Sequence, residues 1–330
     1  GLKATLSIIG TLNLVVGVSL LLQGHHRVAS HILPRAVRLD RRIALALFLG
    51  SFASGVFQLW MLRLSFALFG PLNENFAILL AAAILGVALG ASLAARGTLR
   101  LHETLTGLAL MMLVIVVALP GVITLWSRAT GADLSDGGEM LVKVLLLGGL
   151  PLPAFVLLGA LVPLAVSAQD NETAAQAGRL LALSSLGNGL GALAMFLALY
   201  RLLDLPTIAI VCSALLAGAA LVVEGGKGRP LTLFYGGLIA ASLIFAGLQS
   251  WPRIELLLGY RALMHEEEIS WRRRNFEDAM VYKAYDQNAT LARFADGGSA
   301  LVLNGYRSLS FGPGSKAELH EVIVGATPAL

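Results

Sequence analysis

Long apolar stretches alternate with short polar loops over the first 250 positions of the chain. Eight of these stretches reach or approach the length of about 20 residues that a helix needs to cross the hydrocarbon core of a bilayer. They lie roughly at 4–22, 43–69, 76–95, 104–126, 141–167, 178–203, 207–223 and 231–249. Backbone polar groups find no water in lipid, so each stretch must be a helix, whereas a membrane barrel would show short alternating strands. The pattern predicts an all-α polytopic membrane bundle of about eight helices over residues 1–250.

The pattern changes after Trp251. Residues 251–275 contain a short amphipathic segment followed by runs of opposite charge, HEEE and RRR, which are typical of a linker at a membrane surface. From 276 to 330, side chains alternate with period two in MVYKAY, ATLARF and SALVLNG, which predicts three strands. Turn signals at Asp296-Gly297-Gly298 and Asn304-Gly305 separate and follow them. We therefore expect a small C-terminal β-meander over residues 276–330.

The composition excludes several classes of protein. Hydrophobic residues make up 57% of the 330 positions and charged residues 13%, against about 25% charged in soluble domains. A soluble globular domain, a disordered chain and a disulfide scaffold are all excluded. Cys212 is the single cysteine and lies inside an apolar stretch, so no disulfide and no metal site are predicted. The net charge of +4 is ascribed to cytoplasmic loops, which predicts the lipid bilayer and no nucleic acid as partner.

Basic residues predict the orientation, because they stay on the cytoplasmic side. The loops after the odd-numbered stretches carry Arg27, Arg35, Arg38, Arg41, Arg42, Arg96, Arg100, Arg179, Lys227 and Arg229. The loops after the even-numbered stretches carry Arg128 and Arg201, with Lys143 just inside a helix end. We expect a multi-pass protein of the cell (inner) membrane with its C-terminal tail on the non-cytoplasmic face. The count depends most on 141–167, where Pro151 and Pro153 interrupt the apolar run.

Small residues inside the stretches predict where helices approach each other closely. Gly86 and Gly90 form one pair at four-residue spacing, and Gly187 and Gly191 form another. Such pairs are typical of helix packing in membranes. Asn188 lies beside the second pair and needs a hydrogen-bond partner in lipid.

Two polar side chains lie within the second stretch. We expect the amide of Gln58 to bond a neighbouring helix, and the guanidinium of Arg63 to extend toward the headgroups. The middle of the predicted spans carries no acidic residue, which counts against a proton-coupled pump.

The tail carries a pattern that resembles the small N-terminal β-domain of spermidine synthases. Gln287 precedes a strand, Leu303-Asn304-Gly305 forms a turn after the next one, and His320-Glu321 follows. In that family a Gln precedes a strand pair, a Leu-Asp-Gly or Leu-Asn-Gly turn follows, and a Tyr-His-Glu opens the substrate gate. The apolar segments FLGSFASGVFQLWMLRL, LGVALGASLAAR, LLGALVPLAV and NGLGALAMF resemble helices of bacterial membrane-fused spermidine synthase-like proteins.

The resemblance implies transfer of an aminopropyl group from decarboxylated S-adenosylmethionine to a diamine such as putrescine. It implies that Gln287 touches the nucleoside donor and that His320, beside Glu321, touches the amine acceptor. Leu319 stands where the family has Tyr, and the chain has no G-x-G-x-x-G on a strand-to-helix turn. The family's nucleotide-binding domain and its base-bearing Asp would follow Leu330. We therefore predict no catalytic residue and no bound cofactor for this chain, with decarboxylated S-adenosylmethionine as co-substrate where a catalytic domain is present.

Three functions stay open at this point. The first is a membrane protein of the spermidine synthase-like family whose catalytic part is absent from this chain. The second is a non-catalytic scaffold that docks another subunit through the β-tail, because an unpaired strand edge suits addition of a partner's strand. The third is a transporter for a small cation such as a polyamine.

Overall fold

The computed structural model describes residues 39–70, 73–131, 136–169, 174–224, 276–283, 288–295, 297–303 and 306–311, with Gly237 and Ala240 as isolated helical positions. The predicted spans 4–22 and 231–249 therefore lie outside the described residues, apart from those two positions, and so does the predicted linker 251–275. The count of eight spans stays a prediction.

The described part is mostly helical. Its helices are α1 (Arg41–Phe69), α2 (Asn73–Ala95), α3 (Leu101–Gly131), α4 (Asp136–Lys143), α5 (Leu152–Ser167), α6 (Ala174–Ala194), α7 (Tyr200–Leu202) and α8 (Leu205–Glu224). A π-helical turn, Val144–Gly149, follows α4 and leads to α5. A second π-helical turn, Met195–Leu199, connects α6 to α7.

Among the described residues, six helical segments are long and apolar enough to cross a membrane: Arg41–Phe69, Glu74–Ala95, Leu101–Trp126, Gly137–Ser167, Ala174–Leu202 and Leu205–Glu224. They coincide with six of the predicted stretches, so the prediction of a multi-pass helical membrane protein is confirmed at that level. Large exposed apolar side chains cover the outward faces of α2 and α6, including Phe76, Ile84, Leu186 and Leu193. An exposed apolar surface of this extent suits a lipid environment.

The fourth of these segments is a single span made of two helical pieces, despite its prolines. The π-helical turn ends at Gly149, and α5 begins at Leu152 immediately after Pro151. A proline lacks the N–H group that a helix interior uses, but the first turn of a helix has no intrahelical partner for that group. The interruption therefore falls between two helical pieces of a single span.

The helix ends show local reasons for their positions. Asp40 caps α1, where its carboxylate accepts a hydrogen bond from the backbone N–H of Arg42 at 2.7 Å. Gly70 ends α1 with φ of 84°, and its N–H donates to the carbonyl of Phe66. Gly97 takes φ of 68° in the turn between α2 and α3. Both turns use a backbone region that glycine adopts without steric cost.

Three helix pairs make the most extensive contacts: α1 with α6, α2 with α5, and α3 with α8. Phe48 and Phe52 of α1 approach Gly187 and Gly191 of α6 in the same order, so these two helices run parallel. The α3–α8 pair is antiparallel, since His102 meets Glu224 while Ser213 donates to the carbonyl of Ala109 at 2.8 Å. The core between the pairs is apolar and includes Phe57, stacked on Trp60 and edge-on to Phe155.

The C-terminal region contains a four-stranded antiparallel sheet in the order β1-β2-β3-β4. Its strands are β1 (Phe276–Lys283), β2 (Asn288–Phe294), β3 (Ser299–Leu303) and β4 (Tyr306–Phe311). The first three overlap the predicted strands. The fourth was not predicted, although the Asn304-Gly305 turn signal directly precedes it. Thr290 is buried and Leu291 is exposed, so alternate side chains of β2 face opposite sides of the sheet.

Candidate functional site

A charged cluster lies at one end of the helical bundle, around Lys143 of α4. The Lys143 side chain is 9% exposed, and its Nζ lies 2.7 Å from Oε1 of Glu74 on α2 and 3.4 Å from Oε1 of Glu139. Lys143 is the seventh residue of its span, about 9 Å along the helix at a rise of about 1.5 Å per residue. A buried ammonium in that position is costly unless it is paired. The two carboxylates therefore serve as its counter-charges.

Aromatic rings and a buried amide complete this cluster, which we call the Lys143 cluster. Lys143 Nζ lies 5.6 Å from the centroid of the Trp126 ring, which packs edge-on against Phe69. An ammonium over an indole face is favourable because the ring face is electronegative. Asn75 is fully buried and donates to the carbonyl of Gly70, which joins the start of α2 to the end of α1. The cluster thus connects α1, α2, α3 and α4 at one end of the bundle.

The opposite end of the bundle carries smaller polar contacts. His102 Nε2 at the start of α3 lies 3.1 Å from Glu224 Oε1 at the end of α8. The backbone N–H of Asp40 donates to Oε1 of Gln169, which links the start of α1 to the chain after α5. The exposed arginines Arg41, Arg42, Arg96 and Arg100 belong to this same end.

The structure places the two intramembrane polar residues on α1 differently from each other. Gln58 is exposed, and its Nε2 donates to Oγ of Ser54 in its own helix at 3.3 Å. Arg63 is half-buried, and its guanidinium lies over the Tyr200 ring of α7 at 4.7 Å. A stacked guanidinium is held by the cation–π attraction and by its planar shape. Arg63 therefore interacts with another helix of the bundle.

The glycines lie where two helix backbones meet. A Cβ added at Gly86 or Gly90 of α2 would collide with α5 at Phe155 or with the carbonyl of Val156, respectively. A Cβ at Gly187 would lie 2.7 Å from the carbonyl oxygen of Phe48, and one at Gly191 would collide with that of Phe52. No larger side chain fits these positions without moving a helix.

Asn188 lies at the same α1–α6 contact, where its backbone carbonyl faces Gly55. Its side-chain Oδ1 is buried and accepts no hydrogen bond from the described residues.

In the sheet, the residues singled out by the resemblance to spermidine synthases lie outside the described residues. These are Gln287, His320 and Glu321. Ala289, near the start of β2, pairs with Leu303 at the end of β3, which in turn pairs with Tyr306 at the start of β4. The start of β2, the end of β3 and the start of β4 therefore lie at the same end of the sheet.

Within the described ranges, no group of three or more His, Cys, Asp or Glu side chains is arranged to hold a metal ion. Comparison of the chain with known protein families, curated proteins and solved structures finds no match.

The sequence assigned Lys143 only to the orientation of the chain, and it assigned no role to Glu74 or Glu139. The spacing of Glu139 and Lys143, four residues apart on one helix face, indicates their pairing. The sequence carries no comparable signal for Glu74, because it pairs with Lys143 across 69 positions of chain.

Proposed function

We propose that this chain is a membrane protein of the spermidine synthase-like type, whose C-terminal sheet binds the amine and nucleoside substrates of that chemistry. One observation supports the proposal most directly. Gln287 directly precedes β2 and Asn304-Gly305 directly follows β3, and Ala289 pairs with Leu303. Both parts of the sequence pattern are therefore joined in sequence to strand ends that lie at the same end of the sheet, which supports the proposal.

The proposal predicts binding of putrescine to the 330-residue chain in lipid nanodiscs, and binding of decarboxylated S-adenosylmethionine when a catalytic domain is supplied with the chain. We expect His320→Ala to weaken putrescine binding, and Gln287→Ala to weaken nucleoside binding, by about tenfold each. A hydrogen bond to a charged or buried polar group contributes about that much. Isothermal titration calorimetry measures both affinities.

Arg293→Ala is the matched control for these variants. Arg293 is an exposed residue near the end of β2. It pairs with Ser299, at the opposite end of the sheet from the start of β2. We expect its affinities to stay within about twofold of the unmodified chain, since it lies away from the proposed site. The proposal fails if the unmodified chain binds neither ligand, or if Arg293→Ala weakens binding as much as the two site variants.

The proposal also includes an orientation. The bundle end that carries Arg41, Arg42, Arg96 and Arg100 faces the cytoplasm by the bias of basic residues. Helix α8 ends at Glu224 on this side, where it meets His102. If 231–249 then crosses the membrane as predicted, the sheet lies on the non-cytoplasmic face.

Cysteine labelling tests this orientation in a chain that carries Cys212→Ser. We expect Arg293→Cys to react with a membrane-impermeant maleimide in intact spheroplasts. Thr98→Cys, in the exposed turn between α2 and α3, is expected to react only after permeabilisation. Labelling of Arg293→Cys only after permeabilisation would contradict the eight-span count and place the sheet on the cytoplasmic side.

A second candidate function is a scaffold that docks another subunit on the sheet. It is favoured by the strand order, because β1 and β4 are the outer strands of the described sheet. Outer strands present backbone groups on which a partner's strand can pair. This candidate predicts slower amide exchange of β4 in the native membrane than in nanodiscs, without binding of either small ligand. Equal exchange in the two settings would contradict it.

A further inference from the structure

The six described spans fall into two groups of three whose helix contacts match. We call α1, α2 and α3 the first triplet and α5, α6 and α8 the second triplet, and helices of the same rank are counterparts. The contact of α1 with α6 corresponds to that of α5 with α2, and the contact of α1 with α8 to that of α5 with α3. The contact of α1 with α2 corresponds to that of α5 with α6. Two further contacts, α1 with α5 and α3 with α8, join counterparts to each other.

The close backbone contacts within these pairs correspond residue by residue. A Cβ at Gly90 of α2 would collide with the carbonyl oxygen of Val156 on α5. A Cβ at Gly191 of α6 would collide in the same way with the carbonyl oxygen of Phe52 on α1. The two glycines are 101 positions apart, and the two carbonyl groups are 104 positions apart. One contact is therefore the other moved by a fixed number of positions in each helix.

The same two spacings relate a second pair of contacts. A Cβ at Gly55 of α1 would collide with the carbonyl oxygen of Asn188 on α6. A Cβ at Gly159 of α5 would lie 2.6 Å from the carbonyl oxygen of Val87 on α2. The glycines of α1 and α5 are 104 positions apart, and the carbonyl groups of α2 and α6 are 101 positions apart. Two separate contacts thus give the same correspondence between the triplets.

Sequence and burial follow the same spacings. Residues 85–91 of α2, LGVALGA, and residues 186–192 of α6, LGNGLGA, are identical at five of seven positions. Buried side chains of the first triplet have buried counterparts 104 positions later: Phe57 with Leu161, Trp60 with Leu164 and Met61 with Ala165 in α1 and α5, and Leu105 with Ala209, Leu108 with Cys212 and Met112 with Leu216 in α3 and α8. The two triplets therefore bury the same faces of counterpart helices.

Counterpart helices run in opposite directions. A Cβ at Gly50 of α1 would lie 3.2 Å from the side chain of Leu161 on α5. Further along α1, Phe57 packs edge-on against Phe155, which precedes Leu161 on α5. These two helices are therefore antiparallel, as α3 and α8 are. A two-fold axis that exchanges antiparallel helices is perpendicular to them, so it lies in the plane of the membrane.

We propose that the six spans form an inverted repeat, in which two three-span units of opposite orientation are related by a two-fold axis in the plane of the membrane. The axis passes through the contact at which the hydroxyl of Ser213 donates to the carbonyl of Ala109, because these residues are themselves 104 positions apart. Inverted repeats are the framework of many membrane transporters, which bind their solute near the midplane, where the two units meet. The proposal therefore favours a carrier function for the bundle, with the pairs α1–α5 and α3–α8 at the boundary between the units.

The first test measures whether the folded protein has this axis. In a full chain that carries Cys212→Ser, spin labels are attached to cysteines introduced at exposed positions of α2 and α6, and pulsed electron paramagnetic resonance in lipid nanodiscs gives the distances between them. The axis exchanges Leu80 with Leu181 and Leu89 with Leu190, all of which are exposed. We expect the Leu80→Cys/Leu190→Cys and Leu89→Cys/Leu181→Cys chains to show the same mean distance.

The pairs Leu80–Leu181 and Leu89–Leu190 are the controls for this measurement. The axis carries each of these pairs onto itself, so their two distances are free to differ. The proposal is overturned if the two exchanged pairs differ in mean distance by more than the widths of their distributions.

The second test places the motif of one triplet in the other. Asn188→Val with Gly189→Ala gives α6 the α2 sequence LGVALGA, and a Cβ at Gly189 would meet no atom within 4 Å. The change also removes the buried Oδ1 of Asn188, which accepts no hydrogen bond from the described residues. We expect this full chain to unfold at the same SDS fraction as the unmodified chain, or at a higher one.

Gly187→Asn with Asn188→Gly is the matched control, because it keeps the composition and moves a glycine by one position. A Cβ at position 187 would lie 2.7 Å from the carbonyl oxygen of Phe48, so we expect this chain to unfold at a lower SDS fraction. The repeat is contradicted if the exchanged motif destabilises the chain as much as this control does.

Discussion

Gly191→Ala is expected to lower the free energy of unfolding by about 3 kcal/mol, one of the two largest effects predicted for this protein. A Cβ at this position of α6 would collide with the carbonyl oxygen of Phe52 on α1. Backbone cannot yield as a flexible side chain does, so α1 and α6 must separate along a contact that also includes Gly55 and Gly187. Overpacking of a close contact costs about 1–3 kcal/mol, and more where backbone is involved. Unfolding in mixed detergent–SDS micelles, followed by circular dichroism, measures the change.

Gly121→Ala is the control for this substitution. Gly121 lies in α3, is exposed, and has no atom within 4 Å of where a Cβ would be. We expect its unfolding free energy to stay within about 0.5 kcal/mol of the unmodified chain, as for open surface positions. If the two substitutions destabilise the protein equally, the close contact between α1 and α6 is not the cause of the effect of Gly191→Ala.

The double substitution Glu74→Gln with Glu139→Gln is expected to lower the free energy of unfolding by about 3 kcal/mol. It leaves the buried Lys143 ammonium without either of the carboxylates that lie within 4 Å of it. Removal of the partners of a buried charge costs about 3–5 kcal/mol. The lower end applies because the two glutamate side chains are 41% and 35% exposed. The same micellar unfolding experiment measures the loss.

Adding Lys143→Met to this pair should restore most of the lost stability, because it removes the uncompensated charge and keeps an apolar stem of similar length. Glu103→Gln is the control, since Glu103 is 50% exposed at the start of α3. Its effect should not exceed about 0.5 kcal/mol. A double variant as stable as the unmodified chain would mean that water, rather than the two carboxylates, solvates Lys143.

The helices were predictable because each depends on a local property of the chain. A run such as 43–69 must be helical in lipid whatever its neighbours are, and α1 covers almost the same range. The predicted helix ends agree less well with the structure where a helix extends past its apolar run. Helix α3 continues to Gly131, beyond the predicted end at 126, so its last turn includes residues that follow the apolar run. Strand β4 was missed because its residues, YRSLSF, alternate weakly between apolar and polar side chains.

The candidate sites were predictable only in part. The glycine spacing indicated close helix contacts, yet it did not show that Gly86 and Gly90 meet α5 while Gly187 and Gly191 meet α1. Gln58 and Arg63 look equivalent in sequence, as two polar residues five positions apart in one apolar run. In the structure Arg63 stacks on Tyr200, whereas Gln58 is exposed. That difference depends on where α7 lies, which no local pattern encodes.

The sequence by itself determined that this is a multi-pass helical membrane protein, because bilayer thickness and the need to satisfy backbone hydrogen bonds act on each segment separately. Only the tertiary structure decided which helices pair, that Lys143 is held by Glu74, and that Trp60 donates to the carbonyl of Leu205. These contacts join residues 69 and 145 positions apart. Lipid is as apolar as the helix surfaces, so close packing and polar pairing select the partners, and both depend on the three-dimensional fit of distant segments.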